Sequence, residues 1–129
     1  ENLFFMKKTL ILGASSNPDR YSNKAIVSLV KHNHPVVAIG QQKAEVGGVK
    51  VQTQQIPLTG IHTVSLYLNP KRQKDYYNYI LELQPKRVIF NPGTENPEFQ
   101  SLLKANKIAF EDSCTLVLLA TDQYETNKG

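Results

Sequence analysis

Directly after the apolar run Thr9-Leu10-Ile11-Leu12 the sequence reads Gly13-Ala14-Ser15-Ser16-Asn17-Pro18-Asp19-Arg20-Tyr21-Ser22. A glycine at that junction lets the backbone turn tightly, Ala14 and Ser15 are small enough for a ligand to come close, and the helix that follows offers unpaired N–H groups to an anion. Ser15 and Ser16 add hydroxyl donors. Arg20 adds a planar cation suited to two-point contact with phosphate. The chemistry these residues could do is phosphate binding, although a plain turn followed by a helix cap at Ser22 would use the same residues, and spacing alone keeps both readings open. The charge balance agrees with an anionic partner: 15 Lys and Arg against 11 Asp and Glu give +4. The basic residues are scattered, which favours a phosphorylated small molecule over a duplex.

Other residue types carry less. A nicotinamide dinucleotide fold of the ordinary kind has Gly-x-Gly-x-x-Gly at the first turn and an acid after the second strand; here only Gly13 of the glycines is present, and Gly40-Gln41-Gln42-Lys43 stands where the acid belongs. Lys43 would suit a phosphate on the ribose, as CoA carries at the 3′ position and NADP at the 2′ position; a solvated lysine is the plain alternative. His32, His34 and His62 lack metal-ligand spacing and are expected at the surface or at helix ends, so no metal is expected. Cys114 has no histidine near it in sequence to activate it and is expected to pack structurally. As the single cysteine it excludes an intrachain disulfide framework, which points to the reducing cytosol. No apolar stretch approaches the roughly 20 residues of a membrane-spanning helix. Lys71, Arg72, Lys74, Lys86 and Arg87 gather around a tyrosine-rich helix, but Tyr76, Ile80 and Leu83 share one face and read as core, which argues against nucleic-acid binding.

The elements that must position these residues follow from periodicity. Strands are expected from Lys7 to about Gly13, at Val36–Ile39, at Thr63–Leu68, at Arg87–Phe90 and at Ile108–Phe110, with a short edge strand around Val49 and Val51. Helices are expected from Ser22 to about His32, through Tyr76, Tyr77, Ile80 and Leu83, and from an Asn96 cap with Pro97 in the first turn and Phe99, Leu102 and Leu103 on the buried side. Alternating strands and helices imply a doubly wound α/β Rossmann-like fold, with a mainly parallel sheet of about five to six strands and helices on both faces. Ligands bind such sheets outside the carboxyl ends of the strands. The expected ligand loops are therefore Gly13–Ser22, Gly40–Lys43, Asn69–Lys71 and Asn91–Thr94. ENLFF at 1–5 resembles a protease-site remnant left by expression, 6–120 is expected to form one domain, and 121–129 reads as a polar tail.

Leu12-Gly13-Ala14-Ser15 followed by Asn17-Pro18-x-Arg20-Tyr21-Ser22 resembles the stand-alone CoA-binding domain proteins, relatives of the nucleotide-binding domain of the succinyl-CoA synthetase alpha subunit. The likeness runs from Lys7 to about Leu119 and takes in Asn69-Pro70, Asn91-Pro92-Gly93 and Cys114. It implies that Gly13, Ala14, Ser15, Arg20, Tyr21 and Ser22 line a diphosphate and adenosine site, with Lys43 and Asn69 at the rim. Ser16, Asn17, Pro70, Asn91, Pro92 and Gly93 complete the candidate set. The synthetase subunit continues into a second domain with a phosphorylated histidine, and no counterpart of that domain is expected here. The implied function is a small cytosolic module that binds CoA or a related adenine nucleotide without catalysis of its own. An NAD(P)-dependent oxidoreductase or redox-sensing domain, a subunit of a composite acyl-CoA enzyme, and a homo-oligomer are the alternatives it leaves open.

Overall fold

The computed structural model describes residues 7–125; the expected remnant at 1–5 and the last part of the expected tail lie outside the described residues. The strands are β1 (Thr9–Ala14), β2 (Val36–Gly40), β3 (Ala44–Val46), β4 (Val49–Gln52), β5 (Thr63–Leu66), β6 (Arg87–Phe90) and β7 (Ala109–Asp112), and the helices are α1 (Tyr21–Lys31), α2 (Pro70–Gln73), α3 (Tyr77–Leu83), α4 (Pro97–Ala105) and α5 (Thr115–Ala120). They form a doubly wound α/β sheet of seven strands in the order β3-β4-β2-β1-β5-β6-β7. The expected five to six strands become seven because Gly47-Gly48, both at positive φ, fold Ala44–Gln52 into a hairpin whose outer strand β3 is the antiparallel one. No helix among the described residues is long and apolar enough to cross a membrane.

Alternation along the central strands sends side chains to two cores. Leu10 and Leu12 of β1 join Ile80 of α3 and Phe99 and Leu103 of α4 on one face. Ile11 points the other way, to Ala25, Ile26 and Leu29 of α1 and Leu119 of α5. Asn96 caps α4 as expected, its Oδ1 accepting from the Phe99 N–H at 3.1 Å, but Leu102 lies on the exposed side. The expected single helix through Tyr76 to Leu83 is broken: α2 passes into a 3-10 turn at Lys74–Tyr76 before α3, and all three tyrosines are half-buried. The last apolar run, to which periodicity assigns no element, is a six-residue helix, α5.

The amino ends of the strands hold a buried polar network. Arg87 is 1% exposed; its Nε donates to Thr63 Oγ1 at 2.8 Å, its Nη2 donates to the Tyr124 carbonyl at 3.1 Å, and its Cζ sits 4.3 Å from the centre of the Tyr124 ring. Tyr124 is fully buried and its hydroxyl lies 2.5 Å from Thr9 Oγ1, so packing extends past residue 120 into the segment that reads as tail. His34, expected at the surface or at a helix end, is buried beside the Tyr124 ring, accepts from the Lys7 N–H at 2.9 Å and faces Glu125 at 3.2 Å. Desolvation lowers the His34 pKa despite the opposing pull of Glu125, and burial with the nearby Lys7 charge brings His62 from 6.5 down to about 4.

Two outcomes follow from this edge. Tyr124→Ala removes a fully buried aromatic ring and is expected to destabilise the protein by about 3 to 5 kcal/mol in urea unfolding; a loss under about 1 kcal/mol would show that the segment after residue 120 adds little. Because His62 stays neutral when folded but takes a proton below 6.5 when unfolded, its contribution is complete above 6.5 and is lost as the pH falls towards 4. His62→Gln is therefore expected to flatten the fall of the urea midpoint over that interval, and an unchanged slope would contradict the assignment.

Candidate functional site

At the carboxyl ends of β1, β2, β5 and β6 the loops enclose a cleft of about 720 Å³. Its floor is backbone. Gly13 interrupts the register between β1 and β2 and has φ +94°, and a Cβ there would lie 2.7 Å from the Tyr67 carbonyl oxygen. Gly40 is equally confined, because a Cβ on it would run into the Ala14 carbonyl. These approaches leave the strand ends bare of side chains where a ligand's backbone-facing groups would lie.

One wall is the turn into α1. Ser15 Oγ accepts from the Asn17 N–H at 3.1 Å, which leaves its own hydroxyl hydrogen to donate, and Asn23 Nδ2 donates to the Ser15 carbonyl at 2.9 Å. Asn17 Oδ1 accepts from the Asp19 N–H at 2.9 Å, a local turn that accounts for Asn17 without a ligand. The helix begins one residue before the expected Ser22 cap: the Arg20 carbonyl accepts from the Asn23 and Lys24 N–H groups, at 3.1 and 3.2 Å, and Ser22 lies buried inside the first turn. No side chain caps α1, and its first turn holds no acidic residue. The partial positive charge of that helix end therefore has no side-chain counterweight within the helix.

The facing wall is built by amides. Asn69 caps α2, with Oδ1 accepting from the Arg72 N–H at 2.9 Å, and Pro70 takes the first helical position, where its missing N–H costs nothing. Gln73 is fully buried and ties the loops together: its Nε2 donates to the Leu68 and Thr94 carbonyls, both at 2.8 Å, and its Oε1 accepts from Asn96 Nδ2 at 2.9 Å. Asn91 is buried rather than presented to a ligand, donating to Ser65 Oγ and the Leu66 carbonyl at 2.8 Å each and accepting from the Thr115 N–H at 2.8 Å. Tyr67 lines the cleft, while its buried hydroxyl lies near Ser65 and Thr115 without a well-formed bond to either; burial pushes its pKa well above the ordinary range.

The cleft thus brings together Gly13, Ala14, Ser15 and Ser16 from the first loop, Arg20, Tyr21 and Ser22 from the start of α1, and Asn69, Pro92 and Gly93 from the far side. Asn17, Lys43, Pro70 and Asn91 do not line it. Tyr21 projects with 70% of its surface exposed, and Lys43 is exposed beyond Gln41 and Gln42, which do reach the cleft. Arg72 and Tyr76 also line it and fall outside the expected ligand loops; the Asn-Pro start of a helix is the available signal for Arg72, since it sets that residue in a first turn beside the cleft. The lining residues include two guanidinium groups, Arg20 and Arg72, and one carboxylate, Asp19.

The CoA binding domain model matches residues 7–120. A crystal structure of an uncharacterized protein is 46% identical, with TM-score 0.89, over 92% of this chain and 98% of that one. The structure of a cell-free protein from Thermus thermophilus (21% identity, TM-score 0.81, 94% of each chain) and a hypothetical protein from Pyrococcus horikoshii OT3 (23%, 0.80, 97% of this chain and 88% of that one) share the fold. No curated protein matches. With the family model covering nearly all of the described residues, the chain belongs to the CoA binding domain family.

Proposed function

We propose that the cleft binds coenzyme A, with the diphosphate against the turn from β1 to α1 and the adenosine towards the end of β2. The observation that carries this reading is the confined Gly13 beside an uncapped α1: a cradle that a single Cβ would fill, next to backbone N–H groups and the Arg20 guanidinium. Ser15 and Ser16 would add hydroxyl donors to the same phosphates. Gln41 offers no carboxylate to the free hydroxyls of the adenosine ribose of NAD, which favours CoA over NAD.

Binding, sensing or carriage fits this lining better than catalysis. Ser15, Ser16 and Ser22 are its serine hydroxyls, and neither a histidine nor a cysteine joins them among the lining residues to act as a base or nucleophile. His32 stands at the far end of α1, while His34 and His62 precede β2 and β5, all remote in the fold from the carboxyl edge.

Isothermal titration with CoA tests the reading directly. Heat of binding is expected from CoA, and a folded protein that gives none would refute it. Arg20 is exposed and forms no ion pair among the described residues, so Arg20→Ala is expected to leave the unfolding midpoint unchanged while weakening CoA binding by about 1.5 to 3 kcal/mol. Unchanged affinity would move the phosphates away from this wall. Gly13→Ala forces a Cβ against the Tyr67 carbonyl at a positive φ, so it is expected to lose both CoA binding and about 1 to 3 kcal/mol of stability; a variant that is stable and binds normally would contradict the cradle.

A further inference from the structure

Gln41 follows β2 directly, Arg72 stands in the first turn of α2 after β5, and β1 lies between those two strands. Their side chains nevertheless meet across the end of β1. With its oxygen turned to the guanidinium, the Gln41 amide accepts from Arg72 Nη2 at 2.6 Å and from Nη1 at 3.2 Å. Both residues are exposed, both line the cleft, and Arg72 forms no ion pair among the described residues.

A neutral amide orients a guanidinium without cancelling its charge, whereas a carboxylate in the same place would pair with it and leave little for an incoming anion. Orientation also matters entropically. An exposed arginine that already sits in one arrangement gives up less freedom when it meets a ligand than a free one does. The Asn69 cap fixes the other end of this side chain by holding the Arg72 N–H at 2.9 Å.

The position supplies the chemistry. In doubly wound nucleotide-binding sheets the end of the second strand receives the adenosine ribose, where an acid takes free hydroxyls and a nearby arginine accommodates a ribose phosphate. Here Gln41 stands in the acid's place and holds an arginine delivered from the other half of the sheet. We infer that Gln41 positions Arg72 to bind a phosphate carried on the adenosine ribose, so that the cleft selects ribose-phosphorylated adenine nucleotides over their unphosphorylated counterparts. Lys43, the cation that the sequence suggests for this task, is exposed and outside the cleft lining. The inference rests on the proposed CoA site and adds the group that reads one part of the ligand.

The test compares CoA with dephospho-CoA, and NADP with NAD, by calorimetric titration of the wild type and of Arg72→Ala, Gln41→Ala and Lys43→Ala at low and high salt. The wild type is expected to prefer CoA over dephospho-CoA by roughly tenfold, with the preference shrinking as salt screens an exposed contact. Arg72→Ala is expected to bring that ratio close to one while leaving dephospho-CoA affinity within about twofold, since only the phosphate contact is removed. Gln41→Ala should lower the ratio part of the way, and Lys43→Ala should leave it intact. A ribose-phosphate preference in either ligand pair supports the inference, and the larger of the two tells a 3′ from a 2′ phosphate. Equal binding within both pairs by the wild type, an intact ratio in Arg72→Ala, or loss of the ratio in Lys43→Ala overturns it while the proposed site stands. An intact ratio in Gln41→Ala overturns the positioning role. A wild type that binds none of the four ligands overturns the proposed site itself and this inference with it.

Discussion

Backbone meets backbone at the end of β1, with no space for a side chain between. Gly13 lies under the Tyr67 carbonyl on one side of that strand end, and the Ala14 carbonyl lies against Gly40 on the other. The Tyr67 N–H donates to the Leu12 carbonyl at 2.8 Å, so the close approach is held by a main-chain bond as well as by sterics. Because three strand ends converge there, the loops that leave them diverge around an open floor, and the start of α1 and the start of α2 become its opposite walls. The cleft is thus a consequence of how the sheet closes up at its centre.

Buried amides then hold the far wall in place. An unsatisfied buried amide costs free energy on the scale of a hydrogen bond or more, so Gln73 and Asn91 remain satisfied only while the segments they bridge keep their spacing. Gln73 ties the loop after β5 to the loop after β6, and Asn91 ties β5 to the start of α5. The amino ends of the strands carry a different load: Arg87, Thr63, Thr9 and Tyr124 pin the segment after α5 under the sheet. This network stands at the opposite edge from the cleft, where the Arg20 and Arg72 guanidinium groups are exposed.

The architecture was legible because each central strand is a short apolar run ending in a turn signal, and each long helix repeats apolar residues at helical spacing, as in Ala25, Ile26 and Leu29. The first loop was legible for the same reason, since a strand that meets Gly-Ala-Ser ahead of a helix admits few geometries. What stayed hidden depends on contacts distant in sequence. Asn91 reads as a loop residue until the Thr115 N–H, 24 positions on, is brought to its Oδ1. Tyr124 stands in a polar stretch and is buried against His34, Arg87 and Thr9, the last of them 115 positions away. Arg72 reads as one of several surface cations, and only the order of strands carries it across β1 to Gln41. Ser22 is not the cap because the helical ladder starts at the Arg20 carbonyl, a shift of two residues that periodicity does not resolve.

On the proposed function a nucleotide lies at the carboxyl edge, across the end of β1. The most direct measurement is a titration of isotopically labelled protein with CoA, followed through the backbone amide resonances. The largest shifts are expected to gather in Gly13–Ser22, at Gly40–Gln42 and at Asn69–Arg72, with Thr9, His34, His62 and Arg87 at the opposite edge nearly still. Shifts centred on that opposite edge, or spread evenly along the chain, would contradict it.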